Sequence, residues 1–580
     1  MATRSKALIV AAVLLLLALG GWCYWRAPGG GAGQTGGDAI SRGGGLVASI
    51  RSDPATYNRY LPLGASAATE TLTHLVHAKL IRVNRATDRV EPWLAEEWRT
   101  SADGLTYTLK LRSDVRFSDG TPFTAADVLF SFRVAYDDRA KSAVRASMQI
   151  NGEPLDVSAP DSMTISIKFP QPFAPGLRML ENLPILPRHK LETSLEDGTF
   201  AAQWSPSKPL SDVVGLGPFM LIEHVSGQRL VFARNPHYFG RDSRGQQLPY
   251  LDRLTLAIVP DQNTEALRLE AGETDLMANG EIRPQDYAAF KRAANEGRIR
   301  LLDVGIGLDP DFLSFNLRPK KERDVRWSWL GSRELRQAIA WGVNRQAIVD
   351  TVYLGEAVPI SGAVTPGNKT WFAPDFAVFK HDPARARELL ASLGLRDRNA
   401  DGMLEDKSGK PVRFSIMTQG GHNRERVVSM VQDHLRALGI GVDVVPLDQR
   451  GLFQRWSAGE YDAMYFGLQA SSTDPWLNPD YWVSSGAFHF WNPEQPSPAT
   501  EWEARIDALM LSGAKAPDLA KRQDLFKEVQ QILTEEVPAI YFVAPRVTLA
   551  TSSRVLNASP APQIPQLLWR ADTLAARQPQ

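Results

Sequence analysis

The segment at residues 91–138 constrains the fold of this 580-residue chain more than any other stretch. Polar and apolar residues alternate strictly from 106 to 111, and this alternation predicts a half-buried strand bounded on both sides by glycine turns. Thr124 and Asp127 have the spacing of a capping box, which predicts that a helix begins there. Because nothing in this segment is arranged for catalysis, these signals indicate a scaffold.

Predicted strands and helices alternate from Leu46 onward, which indicates an α/β body with mixed sheets. The chain is also too long for a single hydrophobic core. Strands are predicted at 46–50, 164–169, 254–259, 312–317, 412–417, 442–445, 463–468 and 540–543, and helices at 67–80, 265–271, 332–343, 383–393, 425–438 and 518–533.

The first 26 residues predict export across the cytoplasmic membrane. Arg4 and Lys6 precede an apolar run, and residues 7–25 are long enough to span a bilayer once. An uncleaved membrane anchor is favoured, since bulky aromatic residues close the run. A cleaved signal peptide and lipidation of Cys23 are the alternatives. All three place the rest of the chain on the periplasmic or extracellular face.

A glycine-rich stretch follows at residues 27–45. Such a composition cannot bury enough apolar surface to fold, so it predicts a flexible linker between the N-terminal segment and the folded body.

Composition and motifs exclude several classes of function. Lys plus Arg and Asp plus Glu number 65 each, so no net charge favours a nucleic-acid partner. Cys23 is the only cysteine of the sequence, which excludes an intrachain disulfide and a cysteine zinc site. Motifs of serine hydrolases, zinc proteases and ATP-binding loops do not occur. The sequence therefore predicts a protein that is not an enzyme and that needs no cofactor.

Residues 397–402 have the D-x-N-x-D-G spacing of a calcium loop, in which Asp397, Asn399 and Asp401 would supply oxygen ligands. The position of the usual bidentate glutamate is taken by Ser408, and no pair of flanking helices is evident. The alternative is a loop of Asx turns, in which the side chains bond their own backbone. We expect the loop to be structural and the protein to fold without calcium.

Segments along nearly the whole exported part resemble those of periplasmic solute-binding proteins that serve peptide- and nickel-type ABC importers. Besides residues 91–138, the resemblance rests on "VGLGPFML", "LVFARNPHYF", "LPYLDRLTLAIVPD", "ALRLEAGETDL", "LRQAIAWGVNRQAIVDTVYLGEAVP" and "LRALGIGVDVV", in this order. The family usually has aspartate where this chain has Asn344, a difference that we expect to be structural.

The resemblance implies a two-lobed, hinged periplasmic-binding-protein fold of class II type with an extra subdomain beside the first lobe. The implied bounds are 46–75, 205–304 and 535–575 for the first lobe, 76–204 for the subdomain and 305–534 for the second lobe.

Aromatic residues concentrate in the second half of the chain, several of them in loops. They include Trp341, Trp371, Phe372, Trp476, Tyr481, Trp482, Phe488 and Trp491. Aromatic side chains on loops often line a binding cleft, although core packing is the alternative for each of them. Trp476 is favoured because its loop follows an apolar strand, where ligands bind in α/β folds. The predicted ligand-binding residues are Asn316, Trp371, Ser471, Ser472, Asp474 and Trp476.

Peptide-binding members of the family carry an Ala-Asp-Tyr-x-(Asp/Glu)-Pro motif, whose first carboxylate pairs with the α-ammonium of the ligand. The corresponding run at 470–475 reads Ala-Ser-Ser-Thr-Asp-Pro, so Ser471 replaces that aspartate. The resemblance therefore implies that simple peptides with a free N-terminus are not the main ligands, and that a neutral, hydroxyl-rich or N-blocked solute fits better. Asp474 is an alternative partner for an ammonium group.

The predicted function is capture of a peptide-like or other small organic solute outside the cytoplasm and its delivery to an ABC permease and its ATPase by hinge closure. The expected partners are that solute, the permease with its ATPase, and the membrane through the N-terminal segment. We expect a monomer. The alternatives are a membrane-anchored sensory binding module and an anchored enzyme on the same scaffold.

Overall fold

A computed structural model of the protein describes residues 42–278, 280–319, 326–376, 379–420, 423–467 and 472–577, which belong to one unit starting at Arg42. The predicted membrane segment and nearly all of the predicted linker lie outside these residues. Within the described ranges, no helix combines the length and the apolar character that a membrane span requires.

The strands, in chain order, are β1 Gly45–Ile50, β2 Ile81–Asn84, β3 Arg89–Pro92, β4 Ala95–Thr100, β5 Thr106–Leu111, β6 Gln149–Ile150, β7 Glu153–Pro154, β8 Asp156–Asp161, β9 Thr164–Lys168, β10 Phe219–Val225, β11 Arg229–Arg234, β12 Arg253–Ile258, β13 Leu276–Met277, β14 Ile299–Ile306, β15 Phe312–Phe315, β16 Ala357–Pro359, β17 Arg413–Gln419, β18 Gly441–Leu447, β19 Ala463–Phe466, β20 Ala539–Tyr541, β21 Val543–Ser552, β22 Val555–Leu556 and β23 Ala575–Ala576.

The α-helices are α1 Ala67–Val76, α2 Ala125–Tyr136, α3 Gly176–Met179, α4 Arg188–Glu196, α5 Gln262–Glu270, α6 Tyr287–Asn295, α7 Trp327–Leu330, α8 Arg333–Gly342, α9 Arg345–Thr351, α10 Pro383–Ser392, α11 Asn423–Arg436, α12 Gln449–Ala458, α13 Pro479–Trp482, α14 Glu501–Lys515 and α15 Leu519–Glu536.

The largest sheet has the order β10-β11-β12-β1-β13-β21-β14, and β16 pairs with β21 beside this path. β1 lies parallel to both β12 and β13, with Leu46 opposite Leu254. β12 lies inside the sheet between β1 and β11, and its residues from Leu254 to Ile258 alternate between buried and half-buried.

A second sheet has the order β18-β17-β19-β15-β20. β17 runs parallel to β18 and β19, whereas β15 is antiparallel to β19 and β20. Its core includes Leu335 and Ile339 from α8 together with Phe414 and Ile416 from β17, all of them buried. The 3.6-residue period of α8 therefore places its apolar stripe against this sheet.

The alternating run at 106–111 forms β5 in a smaller antiparallel sheet of order β4-β5-β9-β8. Tyr107, Leu109 and Leu111 point inward and are buried, as the alternation predicts. The predicted capping box is present, since the Thr124 backbone N–H donates to Asp127 Oδ2 at 2.9 Å where α2 begins.

The helix predicted over 67–80 ends at Val76, earlier than its sequence pattern indicates. The reason is a distant segment: the Gly217 N–H donates to the Val76 carbonyl at 2.8 Å. The glycine-rich strand entry at 215–217 thus ends the helix by packing directly on its last turn.

The chain passes between the two larger sheets at two places. β14 of the first sheet is followed by β15 of the second, and β20 of the second sheet is followed at once by β21 of the first. The two crossings are neighbours, because Phe312 and Tyr541 lie opposite each other in the β15–β20 pair. We propose that they form a hinge. The predicted domain bounds stay a prediction, and β20 belongs to the second sheet although it lies within the range predicted for the first lobe.

Candidate ligand-binding site

A cavity of about 380 Å³ lies beside the two crossings. We call it the main cavity. Its aromatic lining consists of Phe312, Tyr481, Trp482, Phe488, Phe526 and Tyr541. Its polar lining includes Asp309, Asn368, Ser472, Thr473, Asn478, Asp480 and Gln563. Apolar rings with a few polar groups are the usual lining of a site for a small organic ligand, and the volume fits that class.

The secondary structure explains why these residues meet. β17 and β19 are parallel, and the segment that leaves the carboxyl end of β19 contributes Ser472 and Thr473 to the cavity wall. Phe312 begins β15 and Tyr541 ends β20, so the crossings supply another wall. Tyr481 and Tyr541 join their hydroxyl groups in a hydrogen bond across the cavity lining.

The structure brings only part of the predicted site to this cavity. Ser472 lines it, whereas Ser471 lies outside the described residues. Asn316 does not line it, because its Nδ2 donates to the carbonyls of Gly459 at 2.9 Å and Tyr461 at 3.1 Å. Asn316 is 4% exposed, so its amide holds the second sheet to the end of α12.

Trp371, Trp476 and Asp474 come together beneath the cavity rather than in its wall. The indole rings of Trp371 and Trp476 lie 5.4 Å apart, and the Trp476 Nε1 donates to the Met510 carbonyl at 2.6 Å. Trp476 is 3% exposed and borders a second cavity instead. These residues support the loop that carries Ser472 and Thr473.

Asp474 is not available to a ligand ammonium group, contrary to the alternative that its sequence position suggested. Both of its carboxylate oxygens accept hydrogen bonds from Arg522 Nη2, at 2.7 and 2.8 Å, and both side chains are buried. The guanidinium lies 4.9 Å from the Trp371 ring and 4.4 Å from the Trp476 ring. This pair is a packed structural element.

A bridge joins the cavity loop to the part of the chain that carries the smaller sheet. Thr473 Oγ1 donates to Asp88 Oδ1 at 2.7 Å, and Arg178 Nη2 donates to the same oxygen at 2.6 Å. Asn368 Nδ2 donates to the Thr473 carbonyl at 3.0 Å, which fixes the loop from the other side. No sequence pattern indicates this bridge, because Asp88 and Arg178 lie 90 residues apart and Asp88 and Thr473 lie 385 residues apart.

The concentration of aromatic residues in the second half of the sequence predicted part of the cavity lining. Of the aromatic residues singled out from the sequence, Tyr481, Trp482 and Phe488 line the main cavity. Phe312 and Tyr541 were missed because they lie in short apolar strands, where nothing distinguishes a cavity wall from core. Asp480 was missed as well, although it stands directly before two predicted aromatic residues.

A wider cleft of about 1360 Å³ is lined by residues from the ends of β1 and β12 and from α11 of the second sheet. Arg424 faces it in a pair with Asp311, with Nη2 2.8 Å from Oδ1. The cleft is therefore lined by elements of both large sheets.

The predicted calcium loop is closed by its own backbone. Asp397 accepts from the Ala400 and Gly402 N–H groups, Asn399 accepts from Asp401, and Asp401 accepts from Met403, at 2.7 to 3.0 Å. Carboxylate oxygens of Asp397, Asp401 and Glu405 lie within 4.8 Å of one another. The geometry agrees with Asx turns, and that the fold does not need calcium stays a prediction.

Comparison with known proteins identifies the family of this chain and several similar proteins. Residues 89–490 match the model of the bacterial extracellular solute-binding proteins, family 5, middle region. A probable ABC transporter-binding protein of Deinococcus radiodurans is 27% identical and covers 87% of this chain and 88% of its own. Di/tripeptide-binding protein 1 of Pseudomonas aeruginosa is 28% identical, with 84% and 85% covered.

The solved structure of the oligopeptide-binding protein AppA of Bacillus subtilis with a nonapeptide is similar to this one. Its TM-score is 0.69 at 23% identity, over 93% of this chain and 100% of that one. This likeness confirms the predicted two-lobed periplasmic-binding-protein fold.

Proposed function

The chain belongs to family 5 of the bacterial extracellular solute-binding proteins, and we propose that it captures a peptide-like or other small organic solute in the main cavity and delivers it to an ABC permease by hinge closure. The observation that carries the proposal is the main cavity itself. It lies at the two chain crossings, so a solute that fills it touches the elements about which the lobes would turn.

The contacts beside the cavity support closure. The Asp88–Arg178–Thr473 bridge joins the cavity loop to the region of the smaller sheet, and the Ala174 N–H donates to the Ala514 carbonyl at 2.7 Å. A solute that contacts the same loop would stabilise the arrangement in which these bonds are made. Closure requires that the solute bind the closed form more tightly than the open form, and it requires no reaction.

The family assignment gives no support to the two alternatives, a sensory module and an anchored enzyme. We propose further that the N-terminal segment exports the chain and retains it at the membrane, and that the protein acts as a monomer.

A thermal-shift screen of peptides, sugars and metal chelates tests the proposal. A solute present at about 100 times its Kd stabilises the folded protein by about 2.7 kcal/mol. Trp482→Ala, which removes a ring from the cavity wall, should abolish the shift given by any solute that binds there. Trp327→Ala removes a tryptophan from outside the cavity and should preserve that shift. Equal shifts in both variants would place the binding site elsewhere.

A further inference from the structure

Asp480 occupies a position shared by two cavities. It lies on the short helix α13 and lines both the main cavity and a second cavity of about 680 Å³. The second cavity extends between residues 146–182 and helix α14, and Leu477 is the other residue common to both linings. A solute in the main cavity therefore meets Asp480 at the passage to the second one.

The Asp480 carboxylate has no hydrogen-bond or ion-pair partner within the part of the chain that the structure describes. Nearby carboxylates are satisfied: Asp474 binds Arg522, Asp88 binds Arg178, and Asp507 accepts from the Ser484 N–H at 2.8 Å. Asp480 is accessible, yet the surrounding protein removes enough water to raise the pKa of its carboxyl above the ordinary value. Asp480 therefore lacks the kind of partner that these three carboxylates have.

The described lining of the main cavity offers Asp480 no cation, because it contains no lysine or arginine. The aromatic side chains that line it, including Tyr481 and Trp482, are attracted to cations through the negative faces of their rings. The Asp480 carboxylate beside aromatic rings disfavours an anion, and a neutral solute would leave that carboxylate without a charged partner.

We infer that the solute is an organic cation, with an ammonium or quaternary ammonium group, and that Asp480 determines this specificity by pairing with the charge. The inference rests on the proposed function. It replaces the expectation of a neutral, hydroxyl-rich or N-blocked solute, which followed from the residues at 470–476. Ser472 remains available to the polar part of the molecule, whereas the Thr473 hydroxyl is held in the bridge with Asp88 and Arg178.

Calorimetry with probes matched in shape and different in charge tests this assignment. One pair is choline and 3,3-dimethylbutan-1-ol, and another is alanine tripeptide amide with and without an N-acetyl group. At least one charged probe should bind about tenfold or more tightly than its neutral match, as expected for a charge-assisted contact. Asp480→Asn should remove this preference.

Asp524→Asn is the matched control, because Asp524 is exposed and lines neither cavity. It should keep the charge preference, and both variants should melt near the temperature of the unaltered chain. The assignment is overturned if the neutral probes bind as well as the charged ones, or if Asp480→Asn retains the preference.

The assignment also fails if only neutral or anionic solutes of the thermal-shift screen bind, and in that case the proposed function stands. If no solute of any class stabilises the protein, the proposed function fails and the assignment fails with it.

Discussion

At the scale of single residues, Arg522 and Asp474 show how the chain holds its cavity loop without exposing charge to the ligand. Removing two charges from water is costly, and the cost is offset here by two short hydrogen bonds and by the flanking rings of Trp371 and Trp476. Either partner alone would be an uncompensated buried charge. The pair therefore makes the loop position depend on both residues.

Replacing Arg522 by methionine should destabilise the protein by about 3–5 kcal/mol, because Asp474 is left buried and unpaired. The measurement is chemical unfolding at neutral pH. Arg505→Met removes the exposed partner of Glu528 and should cost at most about 1 kcal/mol. The double variant Asp474→Asn with Arg522→Met should recover part of the loss. Similar small effects for Arg522→Met and Arg505→Met would contradict the role given to the buried pair.

Glu503 makes stability depend on acid pH. Burial by itself would raise its pKa, but hydrogen bonds from His489, Gln495 and Thr500 outweigh burial and hold the pKa at about 2. A carboxyl with a depressed pKa stabilises the fold above its unfolded pKa of about 4.3. That contribution is lost as the pH falls from about 4.3 toward 2.

We expect Glu503→Gln to lower the free energy of unfolding at pH 7 and to flatten its decline at acid pH. Unfolding curves at pH 7 and at about pH 3 measure both effects. Glu501→Gln, at an exposed position in the same helix turn, should keep the original slope. An unchanged acid slope in Glu503→Gln would show that other groups control this region.

At the scale of elements, sequence patterns predicted the strands and helix ends that depend only on neighbouring residues. The alternation at 106–111 predicted β5, and the Thr124–Asp127 spacing predicted the start of α2. The end of α1 at Val76 could not be predicted, because it depends on a glycine segment well over a hundred residues away. The main cavity was predicted only in part for the same reason. Asp309, Asn368 and Tyr541 meet through sheet topology, which no local period encodes.

Gly215 is required where the glycine segment packs on α1. A Cβ atom at this position would lie 1.9 Å from the Val76 carbonyl oxygen. Gly215→Ala should therefore cost at least about 1–3 kcal/mol, the usual effect of overpacking, and lower the melting temperature. Gly362 has open space around it and an ordinary backbone, so Gly362→Ala should change stability little. Equal melting temperatures for the two variants would refute the close approach.

At the scale of the whole molecule, two neighbouring crossings connect the large sheets, and the main cavity lies beside them. We propose that the wider cleft of about 1360 Å³ provides space for movement and that the Asp88–Arg178–Thr473 bridge, which is formed in this structure, stabilises the closed arrangement. A solute at the crossings can bias this equilibrium only by its difference in affinity for the two forms. Solute binding and hinge closure are therefore coupled in a single equilibrium.

Small-angle X-ray scattering of the protein with and without its tightest-binding solute tests that account most directly. We predict that a saturating solute lowers the radius of gyration, since hinge closure brings the lobes together. Thr473→Val, which removes the hydroxyl of the bridge, should weaken the change while the protein stays folded. A radius that stays the same at saturation would contradict capture by closure.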